Sequence, residues 1–472
     1  MRQRAKRGLR SAGLRRSPPC IAVLAVLSGC VLAPPPSSED LQEQALPTTP
    51  LPTQWTAGPH APGAVEDDWL ATFADPHLEA LVAEAVEHNA DLAIAAARVE
   101  QAAAYVRVAG GTLYPAVDAL ARGGGEMSGD GSGLEGVLVS ASWELDLWGR
   151  VRYTKRTAEE QHASAEADYA YARQSLAALV AKSWFLATEA ALQRELAVEM
   201  VDAGTKLLQF AGQRQDVGIG SELDVASARV NLQTYRDSLR QVQLSYEQAI
   251  RALELLLGRY PAAELAAPIE FAGLVADVPT GVPSELLERR PDVRAAQQRV
   301  AAAFSRVKEA QAARLPRISL TASGSHLTSE LFVLQERDNP VWSAGGSILA
   351  PLFTGGTLKA QVEVRTAEQK QALEQYVKVA RQAFGDVENA LSSELALEER
   401  EAILTAAVTD AERSVRLSET RYRVGAGDLR SVEQQQLAYF SSRMTLLRIR
   451  SERRVQRVNL HLALGGDFAA SA

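Results

Sequence analysis

Few residues in this chain have the type and spacing to do chemistry. Its six histidines (His60, His77, His88, His162, His326 and His461) are scattered without metal-ligand spacing. Ser305-x-x-Lys308 matches a fragment of a penicillin-binding signature, but the companion Ser-Asp-Asn and Lys-Thr-Gly segments are missing, so it reads as helix surface. No Gly-x-x-x-x-Gly-Lys-Ser/Thr loop exists to cradle a phosphate. These residues support neither an enzyme nor a cofactor or metal site. What remains is one well-placed thiol, Cys30, and a glycine signature written twice.

Cys30 ends an export leader. Residues 1–29 carry seven positive charges and no acid, and the charges, the last of them Arg16, precede the apolar run Ile21 to Leu27. That run is too short to span a bilayer and reads as a secretory signal. Leu27-Ser28-Gly29-Cys30 resembles a bacterial lipobox, which implies cleavage before Cys30 and acylation of its thiol. Acyl chains add about 0.8 kcal/mol per buried methylene, so several on one cysteine would hold the chain to a membrane. Val31, where aspartate would signal inner-membrane retention, favours the outer membrane by the same analogy. Loss of the leader leaves 43 basic against 58 acidic residues, a net charge of −15. A chain so acidic excludes electrostatic binding of nucleic acid. Cys20 leaves with the leader, so no disulfide is expected.

The elements that carry the glycine signature are duplicated. Arg214-x-x-Val217-Gly218-x-Gly220 recurs 207 residues later as Arg421-x-x-Val424-Gly425-x-Gly427, each between two long helical stretches. Residues 89–115 match 290–316 at Asp91/Asp292, Ala95/Ala296, Arg98/Arg299, Val99/Val300, Ala102/Ala303, Val106/Val307, Ala109/Ala310 and Pro115/Pro316. Each matched proline is followed by a change of hydrophobic period from helical to two. In Val137–Trp148, the residues Val137, Val139, Ala141, Trp143, Leu145 and Leu147 point one way. Ser140, Ser142, Glu144 and Asp146 point the other, giving a strand long enough to cross a bilayer at a tilt. Ile318–Ser323 alternates likewise with Trp342–Leu352 as its partner, and Leu113–Ala121 is the weakest of four strands.

Long helices follow. Arg150 to Gln215 holds no proline and would measure roughly 100 Å. Val377, Ala380, Phe384, Val387 and Leu391 keep the 3,4 spacing of a coiled-coil seam, as do Leu437, Phe440, Met444 and Leu447 on the returning helix. Arg290-Pro291-Asp292 reads as a helix start. The Pro- and Ser-rich residues 31–63 predict an extended tether. Sparse aromatics and abundant alanine suit closely approaching helices.

Trp143-Glu-Leu-Asp-Leu-Trp-Gly-Arg150, Leu286-Leu-Glu-Arg-Arg-Pro-Asp-Val293 and Ala350-Pro-Leu-Phe-Thr-Gly-Gly356, with both glycine signatures, resemble the TolC-type outer membrane factor family, in particular its OprM- or NodT-like lipoproteins. The resemblance runs from about Trp69 to Gly465. It implies a mainly α fold with membrane β-structure. Four strands per chain would join a twelve-stranded barrel in a homotrimer, and long coiled-coil helices would form a periplasmic α-barrel. The corresponding divisions are a signal at 1–29, a lipidated tether at 30–63, and equatorial first helices at 64–112 and 258–313. Barrel strands then fall at 113–149 and 316–353, and long hairpins at 150–257 and 356–464. The implied function is passive export of small molecules, as exit duct of a tripartite pump. Its partners would be outer membrane lipid, a periplasmic adaptor of the membrane fusion type and an inner-membrane transporter, foremost of the resistance-nodulation-division type.

By the same resemblance, the tips Arg214, Val217, Gly218, Gly220, Arg421, Val424, Gly425 and Gly427 meet the adaptor, although Gly218 and Gly425 also suffice as helix stops. The periplasmic gate departs from the family pattern. Ser431 and Gln434 stand where relatives have aspartates, and Gly427 stands where they have arginine, while the gate tyrosine is kept as Tyr422. An acidic ring would be weaker or moved to Asp224, Asp428 or Glu433, residues that serve equally well as helix caps. Glu144 and Asp146 would line the barrel lumen or its rim. The rival reading is a coiled-coil structural lipoprotein without a pore, which has no need of the alternating strand at 137–147.

Overall fold

The computed structural model of the chain describes residues 32–45, 52–57, 63, 65, 67–122, 134–274, 278–329 and 341–468. The expected signal, the acylation thiol Cys30 and the glycine-rich residues 123–133 lie outside the described residues. The fold divides into a unit of residues 107–157 and 303–367, with the described part of 1–36, and a unit built from the remainder.

The first unit holds four strands: β1 (Ala116–Arg122), β2 (Leu134–Leu145), β3 (Arg317–Ser329) and β4 (Val341–Leu349). They form one antiparallel sheet in the order β1-β2-β3-β4. The register sorts their side chains by chemistry, because paired residues share a face. One face collects the rows Val117–Ala141–Ala322–Ala344 and Ala119–Val139–Gly324–Trp342. The other collects Asp118–Ser140–Ser323–Ser343 and Ala116–Ser142–Thr321–Gly345, with the Ser323 and Ser343 hydroxyls 2.7 Å apart. The apolar face is uncovered: Val117 is 68% exposed, Trp342 78% and Ile348 72%.

The strand expected at Val137–Trp148 begins earlier and stops at Leu145. Asp146 leaves the ladder because its carboxylate turns to the next helix, accepting the backbone N–H of Val151 at 3.1 Å and of Arg152 at 2.9 Å. Glu144 takes a two-pronged bond from the Arg150 guanidinium at 3.0 and 2.8 Å. Trp148 Nε1 donates to the Pro316 carbonyl at 2.7 Å, so the Trp-Glu-Leu-Asp-Leu-Trp-Gly-Arg segment ties the corner between sheet and helix.

Both halves of the duplication have the same helical plan. First come α1 (Ser38–Ala45), a 3-10 turn at Trp69–Phe73, α2 (Pro76–His88) and α3 (Ala90–Gly111). The first hairpin is α4 (Arg150–Asp216) with α5 (Glu222–Leu256). After α6 (Pro283–Arg289) and α7 (Pro291–Ala312), the second hairpin is α8 (Thr357–Arg423) with α9 (Leu429–Ala463). Outgoing helices have 67 residues and returning helices 35, in both hairpins.

Apolar residues of the second unit are spent on packing these helices. Trp69, Phe73, Leu78, Leu81 and Ala85 meet Leu176, Val180, Trp184 and Phe185 of α4, with Leu253 and Val458. By length and composition alone α4 could cross a membrane, yet this stretch of it is core. Ala177, Ala178, Ala181, Ala187, Ala191 and Ala197 are almost wholly buried, which lets neighbouring helices approach closely. The seam residues Val377, Ala380, Val387 and Leu391 form a core with Val293, Ala296 and Val300 of α7. On α9, Phe440 is buried and Met444 and Leu447 half-buried, but Leu437 is 61% exposed, so the seam begins one step later than its spacing predicted.

Within the expected tether, residues 37–45 and 52–57 are more than extended chain. Ser37 and Asp40 cap α1, whose Leu41 and Ala45 are buried a turn apart. Trp55 Nε1 then donates to the Thr280 carbonyl at 3.1 Å.

Charge holds the same unit together. Arg290, 4% exposed, reaches both oxygens of Asp292, the Asp386 carboxylate at 3.0 Å and the Ala463 carbonyl. Along the second hairpin, Arg457 meets Glu394 at 2.6 Å, while Arg453 and Arg450 reach Glu401 at 3.2 and 3.0 Å.

His461 is 3% exposed, stacks on Trp69, and has no hydrogen-bond partner for either ring nitrogen among the described residues. Burial pushes its pKa down to about 3, with Arg457 adding to the effect. Between that value and its ordinary 6.5 the unfolded chain binds a proton that the folded chain refuses. Stability therefore falls as pH drops through this window, by at most about 1.4 kcal/mol per unit. The melting midpoint should decline on acidification below about pH 6, a decline that His461→Phe makes shallower.

Candidate functional site

Both signatures lie where an outgoing helix ends and its partner begins. At the first tip the Gly218 N–H donates to the Gln215 carbonyl at 2.9 Å, and Ile219 and Gly220 both donate to the Arg214 carbonyl. The second tip repeats the pattern, with Gly425 N–H to the Tyr422 carbonyl at 3.1 Å and Ala426 N–H to the Arg421 carbonyl at 2.8 Å. The two glycines of each signature are needed for different reasons. Gly218 and Gly425 have φ of 78° and 80°, which other residues adopt at a cost of about 1 kcal/mol. Gly220 is constrained by space: a Cβ there would sit 2.8 Å from the Gln215 nitrogen. At Gly427 the nearest atom would be 3.2 Å away.

The returning helices are capped by acids. Ser221 and Asp224 form a reciprocal capping box on α5. Asp428 accepts the Ser431 N–H at 2.7 Å at the start of α9, and the Ser431 amide and hydroxyl hold its carboxyl below the ordinary range. Both of these acids therefore already serve as helix caps, and the Ser431 amide is taken by Asp428. Glu433 accepts the Ser227 hydroxyl at 3.1 Å, while its second oxygen is buried without a partner among the described residues. Gln434 is exposed.

Arg214 joins the two tips. Its guanidinium donates to the Tyr422 carbonyl at 3.0 Å and the Ile219 carbonyl at 3.4 Å. It also stands 4.9 Å from the centre of the Tyr422 ring, a cation–π contact. Phe210 meets the same ring edge-on at 5.5 Å, and Leu207, Ala211, Leu429 and Val432 close the cluster. Tyr422 is 3% exposed, and its hydroxyl is buried with no partner among the described residues. Burial raises its pKa, with Asp224 and Glu433 adding.

Arg421, the repeat counterpart of Arg214, is exposed. So are Val217 at 70% and Val424 at 72%. Reading the signature alone missed Ile219 and Leu223, which are 65% and 70% exposed and extend the apolar tip surface. Their signal was available: Ile219 is a large apolar residue in a turn and Leu223 one in the first turn of a helix, both outside any seam spacing. Glu144 and Asp146 belong to the other unit, at its sheet-to-helix corner.

A sequence profile described as outer membrane efflux protein matches residues 81–259 and 282–466, covering both halves of the duplication. The chain belongs to the outer membrane efflux protein family. It is 30% identical over 461 residues to the toluene efflux pump outer membrane protein TtgC of Pseudomonas putida, covering 94% of each chain. It is 28% identical to the cation efflux system protein CusC of Escherichia coli, covering 96% of this chain and 98% of that one. The open-state MtrE outer membrane channel of Neisseria gonorrhoeae shares its fold with a TM-score of 0.80 and 29% identity, over 90% of this chain and 97% of that one. The chain is thus an efflux channel protein of the Gram-negative outer membrane, with the TolC-like combination of a small sheet and long paired helices.

The glycines give a direct check on this tip geometry. Gly220→Ala should loosen the first tip more than Gly427→Ala loosens the second, because its added methyl meets backbone at closer range. Amide hydrogen exchange at 214–222 and 421–429 reads the difference; equal exchange would refute it.

Proposed function

We propose that three copies of this chain close their sheets into one membrane barrel and form a passive exit duct whose far end is gated by the hairpin tips. The carrying observation is the open four-stranded sheet with one apolar and one hydroxyl-rich face. Bacterial outer-membrane barrels start at eight strands, so four cannot close alone. In lipid, each unpaired edge group costs several kcal/mol, and copies that pair β1 with β4 of a neighbour remove every edge. The apolar rows then face lipid, and the serine rows face the lumen.

Energy comes from partners. The exposed apolar tip residues Val217, Ile219, Leu223 and Val424 suit docking by a periplasmic adaptor, which would connect the duct to an inner-membrane transporter of the resistance-nodulation-division type. Cargo choice is assigned to those partners. Relatives of nearly equal similarity are named for toluene and for cation efflux, chemistries with little in common. The gate at rest is the Arg214–Tyr422 joint, which locks one hairpin to the other through a carbonyl and a ring face. Any cation-attracting role at the gate falls to Glu433 ahead of Asp224 and Asp428, whose carboxylates already cap α5 and α9.

Planar-bilayer recording tests the gate. Arg214→Ala should raise open probability at least several-fold. Tyr422→Phe should leave it unchanged, because the lost hydroxyl has no partner and the ring and carbonyl remain. Silence from Arg214→Ala, or opening by Tyr422→Phe, would contradict the joint. Lipidation is a separate question: Cys30→Ser should lose its acyl chains yet still insert into the outer membrane, because the barrel anchors the chain independently. Recovery of the variant in the soluble fraction would contradict the barrel.

A further inference from the structure

The apolar face of the sheet is not smooth. A trough of about 800 Å³ runs along it, bounded by Val137 and Val139 on the β2 side and by Trp342 on the β4 side. Side-chain size sets its shape. The row Ala141–Ala322–Ala344 makes a low floor, and the next row crosses β3 at Gly324, which has no side chain. The Trp342 indole leans over that glycine. A Cβ on Gly324 would lie 2.6 Å from the indole Cζ3 and 2.8 Å from its Cε3, so a larger residue there would displace the ring. Trp342 is nonetheless largely exposed, and it edges the trough without filling it.

The trough has an apolar length and one polar end. From the alanine row to the pair Val137–His326 is four residues, roughly 14 Å of antiparallel strand. Side chains on this face are apolar over that length up to His326, which is exposed. The next row on the same face is Glu135–Thr328, so residues suited to hydrocarbon stop at this level. His326 also lies toward the hairpin ends of the strands, whereas the opposite ends of β2 and β4 lead into α4 and α8. With those helices in the periplasm, the polar end of the trough is at the outer leaflet.

We propose that this trough is a discrete lipid site: it binds one acyl chain of lipid A, the phosphorylated glycolipid of the outer leaflet, with His326 donating to the head group. The inference rests on the three-copy reading above, which turns the apolar rows toward hydrocarbon and gives each copy one trough. Burial alone confers no preference in a solvent that is already apolar. Packing does. A straight acyl chain laid on the alanine floor lies against Val139 on one side and the indole on the other, and gains dispersion contacts along its whole length. A wall of large side chains would offer that chain no such seat. At the outer end the imidazole supplies a hydrogen-bond donor at the level where a phosphate or sugar oxygen of the head group arrives. An ionisable side chain on the lipid face of a barrel strand thereby has a partner that its own chain does not provide.

Native mass spectrometry of the complex released from outer membranes in mild detergent tests this. One lipid A per chain should stay bound. Ala322→Leu with Ala344→Leu, which raises the floor, should cut that retention several-fold. Ile348→Leu, on the same face outside the trough, should keep it. His326→Ala leaves the floor intact and should also weaken retention several-fold; unchanged retention there would overturn the head-group contact. Retention of phosphatidylethanolamine in place of lipid A, or undiminished lipid A on the filled variant, would overturn the site. A complex of three chains that holds no lipid refutes the trough alone, whereas a one-chain mass refutes the three-copy reading.

Discussion

The structure depends on an accounting of backbone hydrogen bonds in lipid. A sheet of four strands has two edges, and each edge presents N–H and C=O groups that hydrocarbon cannot satisfy. Every other feature of the first unit is arranged around that problem. Across its middle rows the register places alanine, valine and tryptophan on one face and serine and threonine on the other, the pattern of a wall between lipid and water, and only toward one end does the row Leu120–Leu138–Ser325–Val341 make the second face apolar. The corner at 143–150 uses two carboxylate–guanidinium pairs and a helix cap to turn this wall into a helix without leaving the turn's polar groups unpaired.

The same economy governs the tips. Each glycine signature has one residue for a left-handed turn and one for close backbone approach. Arginine then does at the first tip what a packing residue alone could not: it satisfies carbonyls at a helix terminus and lies against an aromatic ring. A contact of that type holds firmly yet is reversible, since it involves no deeply buried charge pair. Apolar residues left exposed around it give a partner something to bind.

Much of this was legible in the sequence because it is periodic. Alternation at 137–145 and 318–323 found strands, and the Val377–Leu391 spacing found a core seam. The duplication itself implied two hairpins of equal length. Legibility failed where a long-range partner overrides the local pattern. Asp146 continued the alternation in sequence but is drawn out of the strand by two helix N–H groups. Residues 52–57 look like linker in sequence, yet Trp55 is held by Thr280, 225 positions away, and Thr56 and Ala57 by Glu388. Arg214 was read as a docking residue, since nothing near it announces that its acceptor lies on the other hairpin, 208 positions away. Leu437 shows the converse error, a seam spacing with no neighbour to bury it.

The central claim is that this chain cannot complete its own barrel and must share one with two copies of itself. Native mass spectrometry of the protein released from membranes measures that directly. The account predicts three chains in a single complex, with no folded monomer surviving in lipid. A stable, conducting species of one chain would contradict it.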